Sequence, residues 1–461
     1  MSFRSPTLPP TRPHPAGRRR TRGVLACAAA LALLALPALS PPAPAQGVSI
    51  APQENPADDP AQDILIEGLG FSKLIVEVHG GERGDQPGRQ QVALLLEKNL
   101  CWSGLFNLWQ GGTRYCALRT TPQRIDMRLE LAWSPGRVRV RLKDAGPEEL
   151  LLFEDFLPVR AFLPEPEVMA LVNRLTRRIT GQPGLLGSTL AFVLRQPGYA
   201  KVIVRVNTHG EDLERISANQ DINLLPRWGP GGQAIVYTVL SALGSRVYYH
   251  DLGNHGGGGA SRYLTDNPGL NTGGAFSPDG RRVVLTMSVG RSADLYEVNL
   301  DSNAYRRLTT RQGIETQADW SPDGKQVVFV SDRTGTPQVY LYDFDTGEDL
   351  RLTFDGAYNA DPKWSPDGKS ILFTKRVGGR DQIHIMDRYG ENVRPVTRGR
   401  YDAEQAAWSP DGHQIAFTSN RTGTFKIYVV STDGSNLRRL TGTGRGFEET
   451  SPTWTFHGAL R

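Results

Sequence analysis

The stretch Trp320-Ser321-Pro322-Asp323-Gly324 is repeated along the chain at a spacing of 44 residues. It returns at residues 364–368 and 408–412, and a copy that begins with Phe replaces it at residues 276–280. A fixed period in the forties, with short strand-like segments between turns, is typical of a propeller or a solenoid. Two weaker copies flank the set, so we count six repeats, marked by Trp228, Phe276, Trp320, Trp364, Trp408 and Trp454.

One repeat, residues 359–400, shows the internal pattern. Its strand-like segments are residues 359–364, 370–374, 382–386 and 393–397, with turns that contain Gly between them. Four short strands in roughly 40–45 residues predict a propeller blade. In the Ser-Pro-Asp-Gly turn, Pro suits the second position of a type I turn and Gly the fourth. The aromatic residue before the turn is expected to pack between neighbouring blades, and the Asp is interpreted as structural rather than catalytic.

The first and last repeats are incomplete and complement each other. The segment before Trp228 supplies three strand-like runs, and the segment that ends near Trp454 supplies one. Together they make one blade, so the C-terminal strand is predicted to close the ring and remove its open edge. The fold class that follows is a two-domain protein, with a small α/β N-terminal domain before a six-bladed β-propeller closed by the C-terminal strand.

The N-terminal part of the chain mixes helix and strand patterns. Strand patterns cover residues 63–67, 74–78, 124–131 and 137–142, and helical apolar spacing covers residues 90–100 and 165–179. We therefore divide the chain into a signal peptide (1–45), a flexible N-terminal segment (46–61), an α/β N-terminal domain (62–186) and the six-bladed β-propeller (187–461).

The first 45 residues indicate a secretory signal. An Arg-rich start precedes an apolar run from Val24 to Leu36, and cleavage is expected near Ala45. A twin-arginine signal at residues 18–20 and lipid modification at Cys27 are the alternatives. Removal of the six Arg in this segment leaves 47 of 53 basic residues against 48 acidic ones, so the formal charge of +5 is no argument for nucleic-acid binding.

Two of the three cysteines, Cys101 and Cys116, follow the predicted cleavage site. In an exported protein such a pair is expected to form a disulfide, with two buried thiols as the alternative. The sequence has no Gly-x-Ser-x-Gly or His-Glu-x-x-His motif, and its histidines show no ligand pairing. We therefore predict no catalytic residue, no metal ligand and no cofactor.

With these features the chain resembles the TolB family, the periplasmic propellers of the Tol–Pal system in Gram-negative bacteria. The resemblance covers residues 62–461 and rests on three motifs: Asn99-Leu100-x-x-Ser103-Gly104-x-Phe106, Thr180-Gly181-x-x-Gly184 before Thr189–Val193, and Pro452-Thr453-Trp454 near the end. The long spacer before residue 62 and the cysteine pair depart from the family pattern.

The resemblance implies a non-enzymatic scaffold that binds the peptidoglycan-associated lipoprotein Pal and the protein TolA. Such a scaffold supports outer-membrane integrity and invagination during division, is periplasmic, associates peripherally with the outer membrane through Pal, and is monomeric apart from its partners. Pal would bind loops at the mouth of the propeller channel, here Asn271, Gly273, Thr316, Asn359, Asp361 and Glu404. TolA would bind Asp63, Ile64, Leu65, Ile66 and Glu67. The alternatives are an exported propeller enzyme or a carbohydrate-binding propeller, with the polar loops as ordinary solvated turns.

Overall fold

The structure, a computed structural model, describes residues 74–79, 87–109, 125–158, 165–180, 184–253, 261–289 and 292–456. These residues all belong to one compact unit of the chain. The predicted signal peptide, the N-terminal segment 46–61 and the strand predicted at residues 63–67 lie outside the described residues. Within the described ranges, neither helix has the length and apolar character that a membrane span requires.

The N-terminal region contains a five-stranded sheet and two helices. Its elements are β1 (Leu74–His79), α1 (Pro87–Trp102), β2 (Phe106–Trp109), β3 (Met127–Ser134), β4 (Arg137–Asp144), β5 (Leu151–Pro158) and α2 (Glu165–Thr180). The strand order is β2-β1-β3-β4-β5, in which β1 runs parallel to β2 and β3 and the other pairs are antiparallel. Both predicted helices are confirmed, as are the strands predicted around residues 74–78, 124–131 and 137–142, whereas β2 and β5 had not been predicted.

Side-chain periodicity explains the regular elements of this region. In β4, Val138, Val140 and Leu142 are buried and alternate with basic residues on the other face of the strand. In α2, the buried residues fall at helical spacing on one stripe. Acidic residues in the first turn of α2 and basic residues in its last turn complement the helix dipole.

The remaining described residues form six four-stranded antiparallel sheets. The strands are β6 (Thr189–Arg195), β7 (Val202–Asn207), β8 (Glu214–Arg215), β9 (Ile222–Trp228), β10 (Ala234–Ser241), β11 (Gly244–Asp251), β12 (Arg262–Tyr263), β13 (Asn271–Phe276), β14 (Arg282–Ser288), β15 (Ala293–Asn299), β16 (Tyr305–Arg307), β17 (Glu315–Trp320), β18 (Gln326–Ser331), β19 (Gln338–Asp343), β20 (Asp349–Arg351), β21 (Asn359–Trp364), β22 (Ser370–Val377), β23 (Arg380–Asp387), β24 (Arg394–Pro395), β25 (Ala403–Trp408), β26 (Gln414–Ser419), β27 (Lys426–Ser431), β28 (Arg438–Arg439) and β29 (Glu448–Thr455). We number the sheets 1 (β9–β12), 2 (β13–β16), 3 (β17–β20), 4 (β21–β24), 5 (β25–β28) and 6 (β29-β6-β7-β8). Each of sheets 2 to 5 is one sequence repeat, and the architecture is that of a β-propeller.

The Ser-Pro-Asp-Gly turns are built alike in sheets 2 to 5. In each turn the Ser Oγ donates to the Asp Oδ1 over 2.5–2.7 Å. The same Oγ accepts the backbone N–H of the residue that starts the second strand, at 2.8–3.0 Å. The hydrogen bond from Ser277 lowers the pKa of Asp279, and the bond from Ser321 does so for Asp323. The Asp therefore stabilises the turn, which is the structural role predicted for it.

Two of the repeated aromatic residues donate a hydrogen bond to the preceding sheet. Trp320 Nε1 donates to the Ala275 carbonyl of sheet 2 at 3.1 Å, and Trp408 Nε1 donates to the Lys363 carbonyl of sheet 4 at the same distance. Because the donor and the acceptor lie in neighbouring sheets, these aromatic residues pack between sheets as the sequence predicted.

Sheet 6 combines the first and last strands of the propeller. β29 pairs with β6 along its length, which is the pairing predicted between the two ends of the repeat region. Trp454 Nε1 donates to Ser188 Oγ, next to β6, at 2.7 Å. On the other side, Thr453 Oγ1 accepts the backbone N–H of Trp228 in sheet 1 at 3.4 Å. The C-terminal strand therefore contacts both the start of the propeller and its first complete sheet.

The end of α1 packs against sheets 5 and 6. Gln414 Nε2, just after the turn of sheet 5, donates to the Trp102 carbonyl at 2.7 Å. The Arg438 guanidinium lies 4.3 Å from the centroid of the Trp102 ring and donates to Gln414 Oε1 at 2.9 Å. His209 of sheet 6 meets the same ring edge-on, with 4.8 Å between centroids. The N-terminal region and sheets 5 and 6 also share one cluster of buried apolar residues.

Replacement of Gly104 by Ala is expected to loosen this contact. Gly104 has a φ of +76°, and a Cβ atom there would lie 2.5 Å from Gln414 Nε2. Displacement of Gln414 breaks its bond to the Trp102 carbonyl and leaves buried polar groups unpaired, so we expect a loss of about 2 kcal/mol in unfolding free energy beyond the backbone strain. Urea denaturation measures the loss.

Gly136→Ala is the matched control for this variant. Gly136 has the same φ of +76°, but a Cβ atom there would meet nothing within 4 Å. The control therefore carries the backbone strain without the contact. Equal losses in the two variants would show that the Gln414 contact adds nothing to stability.

Candidate functional site

The two ends of each propeller sheet differ, and the difference locates the candidate site. In sheet 3, the first strand begins beside Ser331, which is also where the hairpin between the second and third strands turns. The Ser-Pro-Asp-Gly turn lies at the other end, where Gln326 pairs with Asp343. We call these the mouth end and the turn end. The predicted Pal-binding residues all lie toward the mouth end of first strands, whereas the N-terminal region contacts the turn end of sheet 5.

Every first strand carries a bulge at the same position. The residue three positions before the repeat aromatic has a φ between 51° and 72°, and the pairing register shifts beside it. A residue with a side chain adopts this conformation at a cost on the order of 1–2 kcal/mol, so the bulge is a specified feature of each strand. The six residues are Leu225, Gly273, Gln317, Asp361, Gln405 and Ser451.

The bulges are tied to one another by side chains. Gln317 Oε1 in sheet 3 accepts the backbone N–H of Asp361 in sheet 4 at 2.9 Å. Gln405 Oε1 in sheet 5 accepts the backbone N–H of Ser451 in sheet 6 at 3.0 Å. The bulge turns an amide away from its own sheet, and the neighbouring sheet satisfies it. Adjacent sheets are thus joined at the same depth.

Four charged side chains meet at and just beyond the bulges. Lys363 Nζ lies 2.6 Å from Asp361 Oδ1, both in sheet 4. The Arg227 guanidinium of sheet 1 reaches the same oxygen at 3.4 Å. Asp319 of sheet 3 accepts a hydrogen bond from the backbone N–H of Trp364 at 2.9 Å. It also interacts electrostatically with Lys363 and Arg227. We call Arg227, Asp319, Asp361 and Lys363 the ion network.

Burial shapes the titration of the ion network. It raises the pKa of Asp319 and lowers the pKa of Lys363, while the opposite charges of the network act against both shifts. The network contains two basic and two acidic side chains, so its formal charges balance. Loss of one member leaves an uncompensated buried charge, which is costly to stability.

Two of the six predicted Pal-binding residues are buried. Asn271 begins β13 with no exposed surface, and its Nδ2 donates to the Asn267 carbonyl at 2.7 Å. Asn359 begins β21 in the same way, and its Nδ2 donates to the Asp355 carbonyl at 2.9 Å. Both side chains hold the loop that enters the strand, so we do not expect them to touch a partner in this conformation.

The other four predicted residues are partly exposed. They lie within the first strands rather than in the loops before them. Asp361 is engaged in the ion network. A Cβ atom on Gly273 would meet nothing within 4 Å, so the space beside this bulge is open. Thr316 and Glu404 occupy equivalent positions in sheets 3 and 5, four residues before the aromatic.

Glu404 has an unusual electrostatic setting. Burial raises its pKa to about 7, with added repulsion from the carboxylates of Asp381, Asp402 and Asp361 and a partial offset from Arg376. Glu404 is therefore only partly ionised at neutral pH.

Sequence reasoning missed three members of the ion network. Arg227, Asp319 and Lys363 each stand directly before the repeat aromatic of their strand. The corresponding positions in the other three sheets hold Ala or Thr. Alignment of the repeats on the aromatic would have revealed one column with two cations and one carboxylate, which is the signal that charges of opposite sign converge there.

The remaining candidates are only partly described. Cys101 is disulfide-bonded, but Cys116 lies outside the described residues, so the pairing of the two stays a prediction. The predicted TolA-binding residues 63–67 also lie outside them.

One group of described side chains has the composition of a metal site. Ligand atoms of Glu165, His209 and Glu211 lie within 4.8 Å of one another. Lys98 Nζ lies 3.1 Å from Glu165 and 3.7 Å from Glu211, so an ammonium already pairs with both carboxylates. Burial and the charge of Lys98 lower the pKa of His209 to about 4. The group is better explained as an ion-pair cluster between α2 and sheet 6 than as a metal centre.

The repeat, the six sheets and the bulged first strands define the chain as a β-propeller protein. A family model described as "TolB beta propeller domain" matches residues 176–407, which is half of the chain. The chain therefore belongs to the TolB β-propeller family.

Solved and curated relatives agree with this assignment. The crystal structure of TolB from Acinetobacter baumannii matches with a TM-score of 0.66 at 26% identity, and the match covers 85% of this chain and 98% of that one. The Tol-Pal system protein TolB of Desulfotalea psychrophila is 28% identical over 163 residues, which are 35% of this chain and 36% of the relative. The protein of the same name from Bordetella pertussis is 29% identical over 172 residues, or 28% and 39% of the two chains. The chain thus spans little more than a third of the length of these curated relatives.

Proposed function

We propose that this chain is a non-enzymatic periplasmic scaffold of a Tol–Pal system, which binds Pal and TolA. The observation that carries the proposal is membership of the TolB β-propeller family, whose matched relatives are named as Tol-Pal system proteins. In this role the chain supports outer-membrane integrity and invagination during division. It reaches the periplasm after cleavage near Ala45, associates with the outer membrane only through Pal, and is otherwise a monomer.

We further propose that the six sheets are the blades of one ring that β29 closes. Contacts between consecutive first strands, and between β29 and β9, support this arrangement. In such a ring, sheets 1 and 4 stand opposite each other, so the pair between Arg227 and Asp361 crosses the channel. The ion network then blocks the channel at the depth of the bulges. A partner that enters from the mouth would therefore reach charged side chains at this depth.

Pal is proposed to bind at the mouth end. Gly273, Thr316 and Glu404 are the predicted contact residues that are partly exposed and not engaged in the ion network. The open space beside Gly273 supports insertion of a partner side chain there. Asn271 and Asn359 keep the entering loops in place and act on Pal binding only through those loops.

TolA is proposed to bind residues 63–67, upstream of β1. We also propose that residues 62–186 form a separate domain docked on the turn end of a propeller of residues 187–461. The bond of Gln414 to the Trp102 carbonyl and the Arg438 contact with the Trp102 ring support a fixed docking. Pal and TolA would then bind on opposite sides of the propeller without competition for the same surface.

The proposal is tested by direct binding. The purified mature chain is expected to bind the soluble domain of its cognate Pal in calorimetry and to co-purify with it, and a chain without residues 46–67 is expected to keep Pal binding and lose TolA binding. Absence of Pal binding by the intact chain, combined with turnover of peptides or glycans, would replace the scaffold with an enzyme.

A further inference from the structure

At one position of the repeat, only one of the six copies has an ionisable side chain. The residue four positions before the repeat aromatic lies at the mouth end of each first strand. Five of the six sheets place a Leu, Thr or Ala there, and only sheet 5 places an acid. The six residues are Leu224, Thr272, Thr316, Ala360, Glu404 and Thr450. Glu404 therefore has no counterpart that would balance it within the ring of equivalent positions.

The acids around Glu404 already have partners. Asp381 accepts two hydrogen bonds from the Arg376 guanidinium, at 2.7 and 2.9 Å. Asp402 Oδ2 accepts a hydrogen bond from Asn420 Nδ2 at 2.9 Å. By contrast, the Glu404 carboxylate accepts no hydrogen bond and forms no ion pair with any residue in the described part of the chain. The charge of Arg376, which is bonded to Asp381, offsets the charge of Glu404 only in part.

A partly exposed carboxylate that is surrounded by other acids and accepts no hydrogen bond destabilises the free protein. Its charged form has lost much of its hydration and gains no hydrogen bond in return, which is costly. Repulsion by Asp361, Asp381 and Asp402 adds to this cost. A cation placed at Glu404 from outside would remove it. The setting therefore favours binding of a positive group more strongly than an exposed acid would.

We propose that Glu404 receives a lysine or arginine side chain that the protein partner inserts into the mouth of the propeller. This inference rests on the proposed function, since it names the chemistry of the residue that the partner brings. A divalent ion fits less well because it requires several free oxygen ligands, and the two neighbouring acids are engaged. A long basic side chain brings its own charge and fills a narrow opening with its apolar stem.

The test compares Glu404→Gln with the unchanged chain in Pal binding. Gln keeps the shape of the side chain and removes the charge, so we expect affinity to fall on the order of tenfold. The free variant is expected to melt at the same temperature as the unchanged chain or higher, because the repulsion between Glu404 and the neighbouring acids is gone. Weaker binding together with undiminished stability separates recognition from a folding defect.

Glu348→Gln is the matched control. Glu348 is exposed at the turn end of sheet 3, and its substitution by Gln removes the same charge far from the mouth. Binding of this control is expected to equal that of the unchanged chain. Substitution of Pal's surface Lys and Arg by Met, one at a time, should reveal one residue whose effect disappears in the Glu404→Gln background.

The pH dependence of Pal binding gives a second readout. Glu404 is charged above its pKa of about 7 and neutral below it, so binding of a cation should weaken as the pH falls from 8 to 6. Asp361, Asp381, Asp402 and Arg376 face Glu404 and are present in both proteins. The trend should therefore be absent in Glu404→Gln.

Three outcomes would overturn the inference. Equal affinity of Glu404→Gln and the unchanged chain across this pH range excludes a role of the charge, while leaving the Pal-binding scaffold intact. Stabilisation by Ca²⁺ that depends on Glu404, without coupling to any basic residue of Pal, assigns the site to an inorganic ion. Absence of Pal binding by the unchanged chain removes the scaffold and the inference together.

Discussion

A chain that ends at Gly446, and therefore lacks β29, is expected to lose cooperative folding. β29 supplies the first strand of sheet 6. Polar as well as apolar side chains of this strand are buried. Glu449 is fully buried, accepts the backbone N–H of Ile427 at 3.0 Å, and lies 3.6 Å from Lys426 Nζ. Trp454 is 8% exposed and bonds to Ser188. Deletion leaves β6 without one of its two partner strands and Lys426 without the carboxylate of Glu449.

The expected loss is large compared with the stability of a domain. Removal of a buried Trp side chain alone costs about 3–5 kcal/mol, and an unpaired buried charge adds a similar amount. Domains are stable by only about 5–15 kcal/mol, so the truncated chain should show no sharp thermal transition. Circular dichroism and differential scanning calorimetry measure this. A chain that ends at Phe456 is the control, and cooperative melting of both truncations at the full-length temperature would contradict closure by β29.

Thr316→Arg is expected to abolish Pal binding while the protein stays folded. Thr316 lies at the mouth end of β17 and is partly exposed. A long charged side chain there projects into the space where Pal is proposed to enter. The adjacent acid, Glu315, cannot neutralise it because Glu315 is buried and paired with Arg333. A steric and electrostatic obstacle of this kind costs several kcal/mol, and we expect a loss of affinity of at least about a hundredfold.

The control for this variant is Thr346→Arg. Thr346 is exposed in the last turn of sheet 3, at the turn end, so the same substitution adds the same charge away from the mouth. Calorimetric titration with the soluble domain of Pal measures both variants, and thermal melting checks that both are folded. Loss of binding in both would point to a general charge effect, and retention in both would exclude the mouth end of sheet 3 from the interface.

Much of the fold follows from the sequence because repeats report their own period. The aromatic residue and the turn after it recur at one spacing. The strands between them show either alternating or continuous apolar residues, which are the two patterns of buried strands. Pairing of the first and last strands followed from counting strands, since three before Trp228 and one at Trp454 complete a sheet. β5 was missed because its pattern, with Glu154 and Asp155 beside leucines and phenylalanines, does not alternate cleanly.

The site was less accessible to sequence reasoning, since its properties depend on burial. Asn271 and Thr316 look alike as polar residues before an aromatic, but one is buried and bonded to its own loop while the other is partly exposed. The contact between Arg227 and Asp361 joins residues 134 apart in the chain, and no local pattern indicates it. The raised pKa of Glu404 likewise arises from acids on other strands.

The placement of β6 and β29 in one sheet also affects the order in which the sheets fold. Sheets 2 to 5 are each contained within about one repeat, so their loops are short and their strands can pair soon after synthesis. Sheet 6 must wait, because Arg195 and Glu448 are 253 residues apart. Until β29 has paired, β6 to β8 form an incomplete sheet with an unpaired edge, which is the kind of surface that associates with other incompletely folded chains. We therefore expect the pairing of β29 with β6 to be the slowest and most aggregation-prone step of folding.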